Sequence, residues 1–190
     1  MDYVKLIKKT PIVVNDARGF YTSRVFGTYT REAFMLLLEG VNPFLIENAG
    51  RASGMPMGPL ELIDMVGIAT GLKIIEATIK EVGEAELVAK GEPLEAKQVL
   101  DWIVTECDRP GQKVGKGFYD YDGSNKRADM WPEVSKRFPA KGEQPSVPDL
   151  VKRFLHVQAV ETLRCMEENV VTAADDADIN VADKKMVVTD

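Results

Sequence analysis

The stretch Gly54-Met-Pro-Met-Gly-Pro-Leu-Glu-Leu-Ile-Asp-Met-Val-Gly67 sets the narrowest limits on what this chain can fold into. It packs two prolines, a glycine hinge and a short apolar segment into one turn-and-cap unit. Gly58 is placed to supply a backbone conformation that other residues resist, and Pro59 suits the first position of a helix. Leu60, Ile63 and Met65 or Val66 then give that helix one buried side, and Gly67 ends it. A unit of this kind fixes backbone and performs no chemistry of its own.

The rest of the chain reads as helices separated by breakers. From Phe20 to Glu39, Phe26, Tyr29, Ala33, Leu36 and Leu37 recur at helical spacing, with Gly40 as the C-terminal cap and Ser23 one turn before Phe26 on the same stripe. Asn42 and Pro43 open a second helix carrying Phe44, Leu45, Ile46 and Ala49, which is expected to fail at Gly50 to Gly54. Two further periodicities run through Leu72, Ile75, Ala77 and Ile79, and through Leu94, Val99, Leu100, Ile103 and Val104, divided by Gly83 and Gly91-Glu-Pro93. At least five helices precede residue 107. Against them stands one β-branched run, Ile12-Val13-Val14, and one strand cannot make a sheet.

The segment Arg109-Pro-Gly-Gln-Lys-Val-Gly-Lys-Gly117 reads as an ordered loop that delivers Phe118, Tyr119 and Tyr121 onto the body. It does not match a P-loop. Lys141-Gly-Glu-Gln-Pro-Ser-Val-Pro148 has the composition of a linker. Beyond it, Asp149 to Glu168 is helical, with Phe154, Leu155, Ala159, Leu163 and Met166 on one side, and Thr172-Ala-Ala-Asp175 resembles a capping box. An offset of 129 residues pairs Arg153 with Arg24, Glu161 with Glu32, Glu168 with Glu39 and Val170 with Val41.

Composition narrows the function classes. A chain of 190 residues has room for one good core, or one core and a partial second, and none for a third domain. Its 24 basic and 30 acidic residues leave a net charge of −6, which argues against non-specific nucleic-acid binding. No apolar run is long enough to span a bilayer, and Met1-Asp-Tyr-Val-Lys lacks the features of a signal peptide, so the cytoplasm is the expected compartment. Cys107 and Cys165 stand alone in helical patterns, which points to buried thiols rather than a metal site or a disulfide.

Three motifs, Arg18-Gly-Phe-Tyr-Thr-Ser-Arg24, the Gly54 to Gly67 unit and Gly111-Gln-Lys-Val-Gly-Lys-Gly-Phe-Tyr-Asp-Tyr121, occur together in one order. In these the chain resembles the C-terminal helical domain of the NAD-dependent 3-hydroxyacyl-CoA dehydrogenases. The resemblance implies an all-α fold like the C-terminal domain of 6-phosphogluconate dehydrogenase. It also implies a domain division of 1–15 as lead-in, 16–122 as the helical domain, 123–148 as linker and 149–190 as an incomplete second helical repeat. The multifunctional fatty-acid oxidation enzymes carry two tandem copies of the helical domain. Here the second lacks the glycine-proline turn, whose place is taken by Asn180 to Asp190.

The resemblance further implies that the chain is the substrate-side and dimerisation portion of an enzyme of fatty-acid β-oxidation, acting on acyl-CoA with NAD as cofactor. The rival classes are a non-catalytic helical oligomerisation protein and an acyl-CoA binder without redox activity. The family usually has Asn before Arg in its first helix, where the amide reaches the oxygen functions of the acyl-CoA; here the pair is Ser23-Arg24. Ser23 reads either as a shorter substrate contact or as a small residue at a helix start. Arg24 reads as a helix-surface or interface charge, Gly58 and Pro59 as architecture, Asp64 as an anchor for a neighbouring element, and Lys113 and Lys116 as solvated. His156, the sole histidine, reads as structural or surface because no orienting partner is visible.

A strand running into G-x-G-x-x-G and a helix, the fingerprint of dinucleotide binding, is missing; Gly115-Lys-Gly117 leads into aromatic, strand-like residues instead. The purified chain, given NAD and 3-hydroxybutyryl-CoA, is therefore expected to form no NADH above a protein-free blank and to show no heat of NAD binding by titration calorimetry. Either signal would overturn this reading.

Overall fold

Helix boundaries fall where the sequence supplies local stops and starts. The computed structural model describes residues 13–172 together with Leu6 and Ala177. Helix α1 (Thr22–Glu39) ends at Gly40, whose φ of +88° places it in the left-handed region. Helix α2 (Pro43–Ala52) has Pro43 in its first turn, and the Asn42 carboxamide oxygen accepts the Phe44 N–H at 2.9 Å. Helix α3 (Pro59–Val66) starts on Pro59, and the N–H of Gly67 (φ +102°) closes it on the Ile63 carbonyl. Helix α4 (Ile68–Val82) stops at Gly83, φ +92°, and α5 (Glu84–Ala89) follows.

A 3₁₀ turn (Leu94–Ala96) then leads into α6 (Lys97–Leu100), which widens into a π-helical segment (Asp101–Glu106). There the Cys107 N–H reaches the Trp102 carbonyl at 3.1 Å.

The described residues divide into two compact units. One takes the chain up to Tyr29 and from Phe154 onward; the other is Thr30–Arg153. In the larger unit α3 packs on α2 and α4, and α4 packs on α5 and α6. Phe34, Leu37, Ile46, Leu60, Ile68 and Ile103 are buried there. On α4 the buried and half-buried stripe is Ile68, Leu72, Ile75 and Ile79, whereas Ala77 falls off that spacing and is exposed. Met65 and Phe44 are likewise exposed, and Gly50 lies inside α2 rather than after it.

A small antiparallel hairpin, β1 (Tyr119–Tyr121) and β2 (Arg127–Met130), is an addition to the expected helices. Its turn is held by the Asp122 carboxylate, which accepts from the N–H groups of Ser124 and Lys126, with Asn125 at φ +60°. The stretch 123–148, expected as linker, holds β2 and α7 (Pro132–Arg137), and Met130, Val134 and Phe138 are buried. The cause is aromatic packing: Trp102 stacks on Trp131 at 5.7 Å and meets Phe138 edge-on at 5.1 Å.

In the smaller unit, Tyr21, Val25, Cys165, Val170, Val171 and Ala177 form a core with Val14 and Ala17 against it. Of the sequence expectations, Ile12, Ala173 to Asp175 and the tail from Asn180 to Asp190 lie outside the described residues.

The 129-residue offset has a physical meaning. Helix α8 (Val147–Glu167) carries Arg153, which donates to Glu32 at 2.6 Å and to Glu39 at 2.6 and 2.9 Å. In the other unit, Arg24 donates to Glu161 at 2.6 Å and to Glu168 at 2.5 and 3.2 Å. Each arginine is thus clamped by two glutamates seven positions apart, with the donor and acceptor helices exchanged.

The helix ends repeat as well. The Val41 N–H reaches the Leu36 carbonyl at 2.9 Å and the Val170 N–H the Cys165 carbonyl at 2.8 Å. Gly40 and Asn169 both have positive φ. The carbonyl of Gly40 accepts from the Gln144 amide at 3.2 Å, and that of Asn169 from the Asn15 amide at 2.8 Å.

Glu161 is 6% exposed at its side chain, whereas Glu32 and Glu39 are 12% and 45% exposed. Arg24→Ala, which leaves the buried Glu161 with only the more distant Arg164 at 3.5 Å, is expected to cost about 3 kcal/mol in urea unfolding, and Arg153→Ala less, because its glutamates regain water. Equal losses for the two variants would contradict this account.

Candidate functional site

The first of the three motifs forms a tight turn and the start of α1. Gly19 (φ +74°) and Phe20 (φ +47°) are both left-handed, with the Phe20 N–H on the Ala17 carbonyl at 2.9 Å. Ser23 is exposed in the first turn of α1. Arg24 beside it is committed to its clamp: hydrogen bonding to Glu168, and then to Glu161, raises its pKa from the ordinary value against the opposing effect of burial. It is not placed to hold a phosphate. Lys113, Lys116 and His156 are all exposed. Cys165 is buried, Cys107 is only half-buried, and both are free thiols.

The second and third motifs are organised by two buried carboxylates. Glu47 belongs to the inward face of α2, alternating with Pro43, Ile46 and Gly50, and is 2% exposed. It accepts the Leu60 N–H at 2.6 Å and the Tyr119 hydroxyl at 2.9 Å. Gly58 is extended, at φ −68° and ψ 159°, so backbone freedom is not its role. Its hydrogen instead faces the Glu47 carboxylate, where a Cβ would collide with both oxygens. The expectation for Gly58 is thus corrected: it is glycine because a charged group passes close to it.

Asp64, on α3, is fully buried. Its oxygens accept the Phe118 N–H at 2.8 Å, the Tyr119 N–H at 2.9 Å and the Tyr121 hydroxyl at 3.0 Å. Gly117 lies against this carboxylate as Gly58 does against Glu47, and a Cβ at Gly111 (φ +134°) would stand 2.8 Å from the Asp64 carbonyl oxygen. Arg109, 6% exposed, closes the loop from the other end. It donates to the carbonyls of Gly117 at 2.6 Å and Tyr119 at 3.0 Å and to Asp120 at 2.6 Å, with its guanidinium 4.3 Å from the centre of the Trp131 ring.

Burial dominates the electrostatics. It pushes the Asp64 carboxyl up from 3.8 to about 7 against its three donors, and pushes Glu47 upward against Leu60, Tyr119 and Arg51. The Tyr119 and Tyr121 phenols are raised by burial and by the carboxylates they face. Because every donor to Asp64 comes from the protein and no oxygen reaches solvent, the group anchors backbone rather than exchanging a proton with a bound molecule.

Sequence reasoning overlooked Glu47 and Arg109. A glutamate on the apolar spacing of α2, three residues before Gly50, was the available signal for the first.

The glycine-rich loop does not fit a dinucleotide. Gly111 and Gly117 turn toward Asp64, Gly115 toward the Tyr121 carbonyl, and the loop enters β1, so no helix N-terminus faces outward and a buried carboxylate lies where phosphates would repel it.

Comparison with known proteins places these motifs. A model of the 3-hydroxyacyl-CoA dehydrogenase C-terminal domain matches residues 19–121. The fatty acid oxidation complex subunit alpha of Shewanella halifaxensis is 35% identical over 178 residues, which is 93% of this chain and 24% of that protein. Its counterpart in Shewanella putrefaciens is 36% identical over 175 residues, 90% of this chain and 23% of that protein. The crystal structure of the dehydrogenase part of multifunctional enzyme 1 from C. elegans superposes with a TM-score of 0.66 at 25% identity, over 95% of this chain and 39% of that one. The chain spans about a quarter of the length of the curated relatives it matches.

The raised Asp64 pKa fixes a sign. Between its unfolded value near 3.8 and its folded value of about 7, the folded chain binds more protons than the unfolded chain, so this group's contribution is present at low pH and lost as pH rises through that window. Thermal unfolding is expected to show this loss, on the order of 2–4 kcal/mol, and Asp64→Asn is expected to flatten it while lowering stability throughout. An unchanged pH profile in the variant would exclude Asp64 as the source.

Proposed function

The chain belongs to the 3-hydroxyacyl-CoA dehydrogenase C-terminal domain family, and from that premise we propose that it is the helical substrate-side portion of an NAD-dependent 3-hydroxyacyl-CoA dehydrogenase of fatty-acid β-oxidation. The carrying observation is the family match across all three motifs, with Ser23 exposed at the start of α1 where the family usually presents Asn.

In this reading the enzyme oxidises a 3-hydroxyacyl-CoA to the 3-oxoacyl-CoA, NAD accepting the hydride. This chain's share is to meet the acyl-CoA through the Ser23 hydroxyl, which can donate or accept one hydrogen bond, and to hold that position steady through the Arg24 clamp one residue on. The names of the curated relatives support the pathway, and the lack of a dinucleotide fingerprint in the sequence supports a division of labour with a separate cofactor domain. The reading includes a cytoplasmic setting and association with a second copy. Among the described residues no helix is long and apolar enough to cross a membrane.

Fusing the family's NAD-binding domain ahead of the chain is expected to give 3-hydroxyacyl-CoA oxidation. The rate should fall roughly tenfold on Ser23→Ala, as loss of one hydrogen bond of about 1–3 kcal/mol implies, and be kept on Ser23→Asn. Equal rates in all three would make Ser23 structural, and an inactive fusion with both domains folded would overturn the reading.

A further inference from the structure

We infer that Phe20 is a specificity-determining contact for the acyl chain of the substrate, its ring presented beside Ser23 to pack on the carbons beyond the oxygen that Ser23 meets. This rests on the function proposed above and adds the group that senses the length of the chain.

The backbone at Phe20 is unusual for its residue type. A bulky side chain at φ +47° brings Cβ toward the following carbonyl oxygen, a cost that glycine escapes and asparagine largely offsets with a local hydrogen bond. Strain of this kind concentrates at sites that bind or switch. The core gains little from it here: Phe20 is 52% exposed, whereas Tyr21 beside it is 2% exposed.

The internal duplication shows that the helix pair does not require this turn. At the offset of 129 residues Tyr21 corresponds to Leu150, and both are buried, so the register runs through the two helix starts. Gly19 and Phe20 then correspond to Pro148 and Asp149 in the first turn of α8. There the Ser146 hydroxyl donates to the Asp149 carboxylate at 2.6 Å, and the Asp149 N–H reaches the Ser146 carbonyl at 3.1 Å, which is ordinary capping by polar residues. None of residues 146–149 is left-handed. Both starts nonetheless present the clamp arginine four residues on, Arg24 in one and Arg153 in the other. The left-handed phenylalanine is therefore an addition to the shared design.

Its place identifies the occupant. A Cβ built on Gly19 would stand 3.8 Å from the Ser23 Cβ and 3.4 Å from the Arg24 Cγ, so the turn folds back over the start of α1, where Phe20 and Ser23 are both exposed. A 3-hydroxyacyl thioester carries its oxygens on the first and third carbons and only hydrocarbon beyond them. A hydroxyl with an aromatic ring next to it matches that order. One ring offers too little surface for a protein interface and enough for a few methylenes.

The test compares 3-hydroxybutyryl-CoA with 3-hydroxyhexanoyl-CoA in the fusion of the family's NAD-binding domain to the full chain. Each methylene in contact is worth about fourfold. Phe20→Asn is therefore expected to lower the hexanoyl-to-butyryl ratio of kcat/KM roughly tenfold, and Phe20→Leu, which keeps an apolar side chain, about threefold or less. Ser23→Ala should lower both rates and leave the ratio unchanged. In the chain alone, Phe20→Asn is expected to raise the midpoint of thermal unfolding, because asparagine tolerates the left-handed turn. A midpoint that falls would make the ring part of the fold and overturn the assignment, as would an active fusion whose ratio Phe20→Asn leaves unchanged; both results leave the Ser23 reading standing. An inactive fusion with both domains folded would overturn that reading and this assignment with it.

Discussion

The fold around the family motifs depends on one costly arrangement, a carboxylate taken wholly out of water. Asp64 gives two oxygens to three donors, two of them the N–H groups of Phe118 and Tyr119 where the chain enters β1. An apolar side chain in its place would leave those backbone donors buried without acceptors, at about 1–3 kcal/mol for each. Glu47 does the same for the first turn of α3, and its bond to the Tyr119 hydroxyl joins the two carboxylates through one aromatic residue. Helices α2 and α3, the glycine-rich loop and the hairpin are thereby fixed to one another by groups that satisfy each other. Gly58 and Gly117 follow as consequences, since each is the place where backbone must pass against a carboxylate.

The duplicated clamp works on a different principle. Arg24 and Arg153 each face two glutamates, and the same residue types recur 129 positions apart with the donor and acceptor roles exchanged between α1 and α8. The repetition extends to backbone bonds at the helix ends and to the left-handed residues that close them. The opposite faces answer to different neighbours: that of α1 is buried under aromatic residues, and that of α8 stands open.

These arrangements bear on function by exclusion as much as by assignment. The lysines of the loop are solvated, its glycines are turned inward, and Arg24 is spent on its clamp. Ser23 is exposed in the first turn of α1, as are Arg18, Gly19 and Phe20 just before it, where the turn holds two successive left-handed conformations. In the function proposed above, the Ser23 hydroxyl is the group that meets a substrate oxygen, and it supplies no acid, base or nucleophile of its own.

The helices were legible because their signals are local. Pro43 and Pro59 at first turns, Asn42 as a cap, and Gly40, Gly67 and Gly83 at ends act through the few bonds next to them, so their order in the sequence fixes α1 to α4. The 129-residue repeat was legible as identities, but not as paired charges. The hairpin was missed because Phe118, Tyr119 and Trp131 gain their order from packing against Trp102, Arg109 and Asp64, which are distant in the chain. Ile63 and Asp64 are adjacent residues on one short helix, and nothing local says that the aspartate is buried as completely as its apolar neighbour. That depended on donors 54 to 57 positions away. The sequence alone determined where the backbone turns and which family it resembles; the tertiary structure decided which polar groups leave water, because desolvation is set by everything that surrounds a group rather than by what lies beside it in the chain.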